Sequence, residues 1–134
     1  MLKIFNCEEI YGDNILIAKF LGWFQENEDW YSYRDDKKYL MLPTLSGEFE
    51  LSFHASWNNL MPVIDKIEHL YEDEYTLPRF EINSHHCIFR RKDFYCIAGC
   101  YHTSPEKICF NTKLESAWHV VVQFIKWYNK QNEF

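Results

Sequence analysis

Thr112-Lys-Leu-Glu-Ser-Ala-Trp-His-Val-Val-Val-Gln-Phe-Ile-Lys-Trp-Tyr-Asn129 is the stretch that decides the fold class. Thr112 and Glu115 stand three apart, as a capping box requires, so the spacing predicts a helix starting here. Leu114, Ala117, Trp118, Val121, Ile125 and Tyr128 then recur at helical spacing as one stripe. Val120, Val122, Phe124 and Trp127 widen that stripe well beyond what one packed neighbour covers. So wide an apolar band calls for burial against a sheet and a second helix, or against a partner chain, for which a homodimer is the simplest arrangement.

Upstream of this helix the periodicity changes to that of strands. Arg79 to Asn83, Cys87 to Arg90 and Phe94 to Cys100 read as a meander, the last two strands joined by the charged turn Arg91-Lys92-Asp93. Before them a helix is expected from about Trp57 to Tyr71, with Leu60, Met61, Ile64, Ile67 and Tyr71 on its buried face. Pro62 should set its start, because a proline beyond the first turn lacks a donor and clashes with the preceding turn. Trp23 to Phe53 reads as three or so short strands broken at Asp35-Asp36-Lys37 and Ser46-Gly47, and Glu48 to Phe53 alternates as a half-buried strand does. The first helix is expected to be short, Ile15 to Leu21, capped by Asp13 or Asn14 and ended by Gly22. The order helix, strands, helix, strands, helix lacks regular βαβ alternation. It predicts an α+β fold: one mainly antiparallel sheet of five or six strands with three helices packed on it as an α-β-α layered sandwich, all within a single domain over residues 1–134.

Composition limits the function classes. With 134 residues, 47% apolar and 19% aromatic, the chain has material for one packed core without metal or disulfide. A net charge of −6 disfavours nucleic acid, whose affinity comes from Lys and Arg on phosphates, and disfavours anionic membrane surfaces as well. No apolar run reaches membrane-spanning length, and Met1 to Glu9 lacks the basic and apolar regions of a signal peptide. Five cysteines, an odd set without export machinery, fit free thiols in a reducing compartment. A soluble, cytoplasmic protein without a cofactor is therefore expected.

Two groups of residues are candidates for function. His85, His86, Cys87, Cys96, Cys100, His102 and Cys109 are types that bind zinc, and Cys96, Cys100, His102 and Cys109 form the candidate metal set. Cys96 and Cys100 would lie about 13 Å apart along an extended strand, so sharing one ion would need a bulge, which Gly99 could supply. A small enzyme or ligand- or metal-binding protein using strands 85–109 is the alternative this cluster supports. Trp23, Trp30, Tyr31 and Tyr33, interleaved with acids, are the candidate binding residues: they either fill the core or form a recognition surface for a protein or a cation. The carboxylates in the predicted loops read as a solvated face, with no glycine-rich phosphate cradle beside them.

Asn14-Ile-Leu-Ile-Ala-Lys-Phe-Leu-Gly22, Phe53-His-Ala-Ser-Trp-Asn-Asn-Leu-Met-Pro-Val-Ile-Asp-Lys-Ile-Glu68 and the Thr112 to Asn129 stretch together resemble small proteins of phages and prophages of anaerobic gut bacteria, described as the phage α/β/α-sandwich domain. The resemblance implies a layered sandwich and carries over no catalytic or binding residue. Members often have an acid directly after the Ser-Trp pair, where this chain has Asn58. The function expected from the residues and the resemblance is non-enzymatic: binding of a protein, such as a host factor, in the host cell cytoplasm.

Overall fold

Helix α3 (Lys113–Gln131) is the centre of the fold. The structure is a computed structural model and describes residues 7–27, 29–42, 51–70, 79–82, 86–91, 94–99 and 112–131. Along the chain, α3 is preceded by α1 (Cys7–Phe20), β1 (Phe24–Glu26), β2 (Asp29–Arg34), β3 (Lys37–Leu42), α2 (Trp57–His69), β4 (Arg79–Ile82), β5 (His86–Arg91) and β6 (Phe94–Gly99). The Glu115 N–H donates to Thr112 Oγ1 at 3.1 Å, so the threonine caps the helix as its spacing predicts. Ser116, Ala117, Trp118, Val120, Val121, Val122, Phe124 and Ile125 are all buried. That wide band is covered from within the chain: α3 contacts β5 and β6 on one side and α1 and α2 elsewhere.

The described strands form two separate antiparallel sheets, β1-β2-β3 and β4-β5-β6, rather than one sheet of five or six. Each is a meander, and helix α2 intervenes between them in the chain. Helix α3 contacts both the second sheet and α1, and α2 contacts α3 and β4. In the second sheet, pairing puts Phe80, Cys87, Phe89, Phe94, Cys96 and Ala98 on one face. Phe89 and Phe124, both fully buried, meet edge to face at 5.1 Å, and Phe94 approaches Phe124 at 5.7 Å.

Three local expectations change. Helix α1 begins at Cys7, not at Ile15, because its outer turns need no packed face: Glu9, Tyr11 and Gly12 are exposed while Ile17 and Ala18 reach the core. Its end is as read. Gly22 has φ 86°, and the Gly22 and Trp23 N–H groups donate to Lys19 O and Ala18 O at 3.0 Å each, a Schellman closure. Helix α2 begins at Trp57 behind Ser56, whose extended backbone is that of an N-cap, so Pro62 lies inside the helix and does not start it. The proline removes the donor for the Asn58 carbonyl, and Asn58 is exposed to water that can replace it. Val63 takes the inward position and Met61 is exposed; the helix stops at His69, and Tyr71 lies outside the described residues. The strand expected at Glu48 to Phe53 is absent over its described part. Leu51 and Phe53 are buried, but Phe53 lies within a turn closed by the Ala55 N–H on Ser52 O at 3.1 Å.

One polar residue holds these parts together. Asn14, 0% exposed, sits mid-helix in α1 and not at its start. Its Oδ1 accepts from Trp118 Nε1–H at 2.9 Å, while its Nδ2 donates to Leu51 O and to His54 Nδ1, each at 2.8 Å. The indole can only donate and the carbonyl can only accept, so the amide has one orientation that satisfies both. Asn14→Leu removes these partners from a dry site and is expected to cost about 2 to 4 kcal/mol, and Asn14→Asp, which keeps an acceptor but buries a charge, is expected to be no better. Urea unfolding followed by tryptophan fluorescence measures this; a loss within the range of a surface substitution would show that the network is not a main tie.

Candidate functional site

The first sheet is built from two tight hairpins. Asn27, Asp35 and Asp36 have φ of 50°, 53° and 64°, left-handed values that Asn and Asp tolerate better than other side chains. The Asp35-Asp36 pair closes a two-residue turn, so Arg34 faces Lys37, Tyr33 faces Lys38 and Ser32 faces Tyr39. The register shifts by one residue between Trp30 and Tyr31, which pair with Leu42 and Leu40 and leave Met41 as the extra residue of a bulge.

Strand alternation divides the four candidate aromatics. Trp30, at 5% exposure, belongs to the core, and its indole is out of a partner's reach. Trp23 is partly buried and packs on Phe53 at 5.5 Å. Tyr31 and Tyr33 point to the opposite side from Trp30. There Phe24 stacks against both, at 6.0 Å from Tyr31 and 5.0 Å from Tyr33, and Tyr33 is 63% exposed. Leu40, 54% exposed, shares this side through its pairing with Tyr31.

Charge also separates by face. The tyrosine face carries Glu26, Asp29 and Lys38, and the opposite face carries Arg34 and Lys37. Lys38 Nζ donates to Glu26 Oε2 at 2.6 Å and lies over the Tyr31 ring, 4.5 Å from its centroid. The hydrogen bond to Glu26 holds the Lys38 ammonium above its ordinary value, against a smaller opposing desolvation. Tyr31 Oη donates to Asp29 Oδ2 at 3.4 Å. On the other face Arg34 lies over Tyr39 at 5.7 Å. Lys38 and Leu40 are not among the residues singled out from sequence. Folding the chain back about a two-residue Asp35-Asp36 turn is the signal that would have placed Lys38 and Leu40 beside the tyrosines.

The metal set is only partly placed. Cys100, His102 and Cys109 lie outside the described residues, and no group of three or more His, Cys, Asp or Glu that could hold an ion occurs among the described ones. Cys96 lies on the inner face of the second sheet, on the same side as Cys87. Desolvation pushes Cys87 up to about 12, with Cys96 adding to it, and pushes Cys96 up to about 11. Both thiols therefore stay protonated and poorly nucleophilic near neutral pH. His54 is equally unsuited to serve as a base: its Nδ1 accepts from Asn14, which leaves the proton on Nε2.

In comparisons with known proteins, no family model matches the chain, and no curated protein and no solved structure is found similar to it. Among the described residues no helix is long and apolar enough to cross a membrane.

The two raised thiols make a pH prediction. An unfolded chain ionises them near 9.0 and the folded chain does not, so their contribution to stability is complete below that pH and is lost as pH rises toward 11 to 12. The stability difference between the wild type and Cys87→Ala should narrow from about pH 8 to about pH 11 in urea titrations. A constant difference would refute the assignment.

Proposed function

We propose that the protein is a non-enzymatic binding protein and that the sheet face carrying Phe24, Tyr31, Tyr33 and Leu40 is where it meets a partner protein. The observation that carries this reading is where apolar surface is left uncovered. Four of the seven large apolar side chains exposed among the described residues, Tyr33, Tyr39, Leu40 and Met41, lie within the single β2–β3 hairpin, and the most exposed two of them, Tyr33 and Leu40, are on this face. Such surface is costly to leave in water unless something covers it, and tyrosine at the centre of an interface contributes much at small entropic cost. Lys37 and Lys38 on the outer strand β3 guard it against indiscriminate pairing. The resemblance to phage and prophage proteins extends the reading to a host-cell protein met in the host cytoplasm.

The test is affinity capture from host lysate by immobilised wild type and by the Tyr33→Ser/Leu40→Ser variant, with circular dichroism to show that both are folded. The variant should lose the partner that the wild type recovers, through a loss of about 2 kcal/mol, roughly thirtyfold, in affinity. Equal recovery by both proteins would place the contact elsewhere.

A further inference from the structure

The tyrosine face already holds one cation. Lys38 reaches across from β3 so that its ammonium sits 4.5 Å above the Tyr31 ring and 2.6 Å from the Glu26 carboxylate, on β2 and β1 respectively. A π face below and a carboxylate beside it make a two-point receptor for an ammonium or a guanidinium. The receptor is shallow: the side chains of Lys38 and Glu26 are 40% and 47% exposed, so water and other cations reach it. Its surroundings favour positive charge. Asp29 lies on the same face, and Asp35 and Asp36 form the turn beyond Tyr33, whereas Arg34 and Lys37 are directed to the opposite side. Next to the occupied ring, Tyr33 stacks on Phe24 at 5.0 Å and is 63% exposed, so a planar guanidinium has room to stack there.

We infer that this face recognises a basic segment of its protein partner, with an arginine or lysine side chain taking the position over Tyr31 and beside Glu26 that Lys38 now fills. Lys38 is thus an internal competitor: its displacement sets the affinity and excludes neutral or acidic segments. An exposed lysine pair of this kind costs little to open, so the slot can be emptied by a cation that brings further contacts with it. The inference rests on the reading of this sheet as the interaction surface and adds the chemistry of the occupant.

The probe is an unstructured glycine peptide bearing several arginines, titrated at fixed ionic strength and followed by tyrosine-region chemical shifts. Lys38→Ala should tighten binding about two- to fivefold, the range expected of an exposed cation–π contact, while Glu26→Gln and Tyr31→Leu should weaken it. Lys37→Ala is the decisive control. It changes the net charge equally but lies on the other face, so it should leave the affinity unchanged. Equal tightening by Lys37→Ala and Lys38→Ala would reduce the effect to bulk charge and overturn the inference, as would no tightening by Lys38→Ala. If Tyr33→Ser/Leu40→Ser still abolishes partner capture while the peptide fails to bind, the surface stands and the cationic occupant falls; if capture is unaffected, the surface itself is wrong.

Discussion

The Asn14 amide is the constraint to which the other elements are fitted. A fully buried amide must find partners for both its ends or forfeit the free energy of its hydration, and this one finds three of them on two distant parts of the chain: the Trp118 indole on α3, and the Leu51 carbonyl and the His54 ring in the 51–56 segment. Apolar packing alone would let α1 slide along α3 at modest cost. A donor and an acceptor held by a residue with no freedom to flip do not allow that. Once α1, α3 and the 51–56 segment are joined, α2 must start where Ser56 leaves it. The Lys66 ammonium then reaches Phe20 O at the end of α1 at 2.5 Å, which ties the second helix to the first.

The aromatic residues that dominate the composition have two separate roles, and strand parity decides which. Along β2, Trp30 points inward to the core while Tyr31 and Tyr33 point outward to the face that includes Phe24 and Leu40. Along β5, Phe89 and Cys87 turn toward α3, where Phe124 completes an edge-to-face cluster. The second sheet therefore turns its phenylalanines toward the core, with Tyr95 exposed, while the first leaves Tyr33 and Tyr39 at the surface. The first sheet joins the core through Trp30.

Much of this was legible in the residues. The Thr112 cap of α3, the left-handed Gly22 and the three-strand meander from Arg79 onward each have a local cause that needs no knowledge of the rest of the chain, and each is present where it is read. What was not legible is long-range. Asn14 reads as a helix cap because asparagine favours caps; only the arrival of Trp118 and Leu51 makes a mid-helix asparagine worthwhile. Six strands read equally well as one sheet or two, since alternation says which residues share a face but not which strands are neighbours. Parity puts Trp30 opposite Tyr31 and Tyr33, but it does not say which side meets the core. That depends on Trp23 and Phe53, which reach the same core from outside the strand.

The bond between Asn14 and Trp118 spans 104 positions of sequence. During synthesis α1 therefore emerges long before the helix that completes its buried face, and at ordinary elongation rates the wait is on the order of 5 to 20 s. For that interval the inward side of α1, with Ile17, Ala18 and the Asn14 Oδ1, has no native partner on α3. The same asparagine that locks the finished structure therefore keeps one hydrogen bond open until the last helix is made.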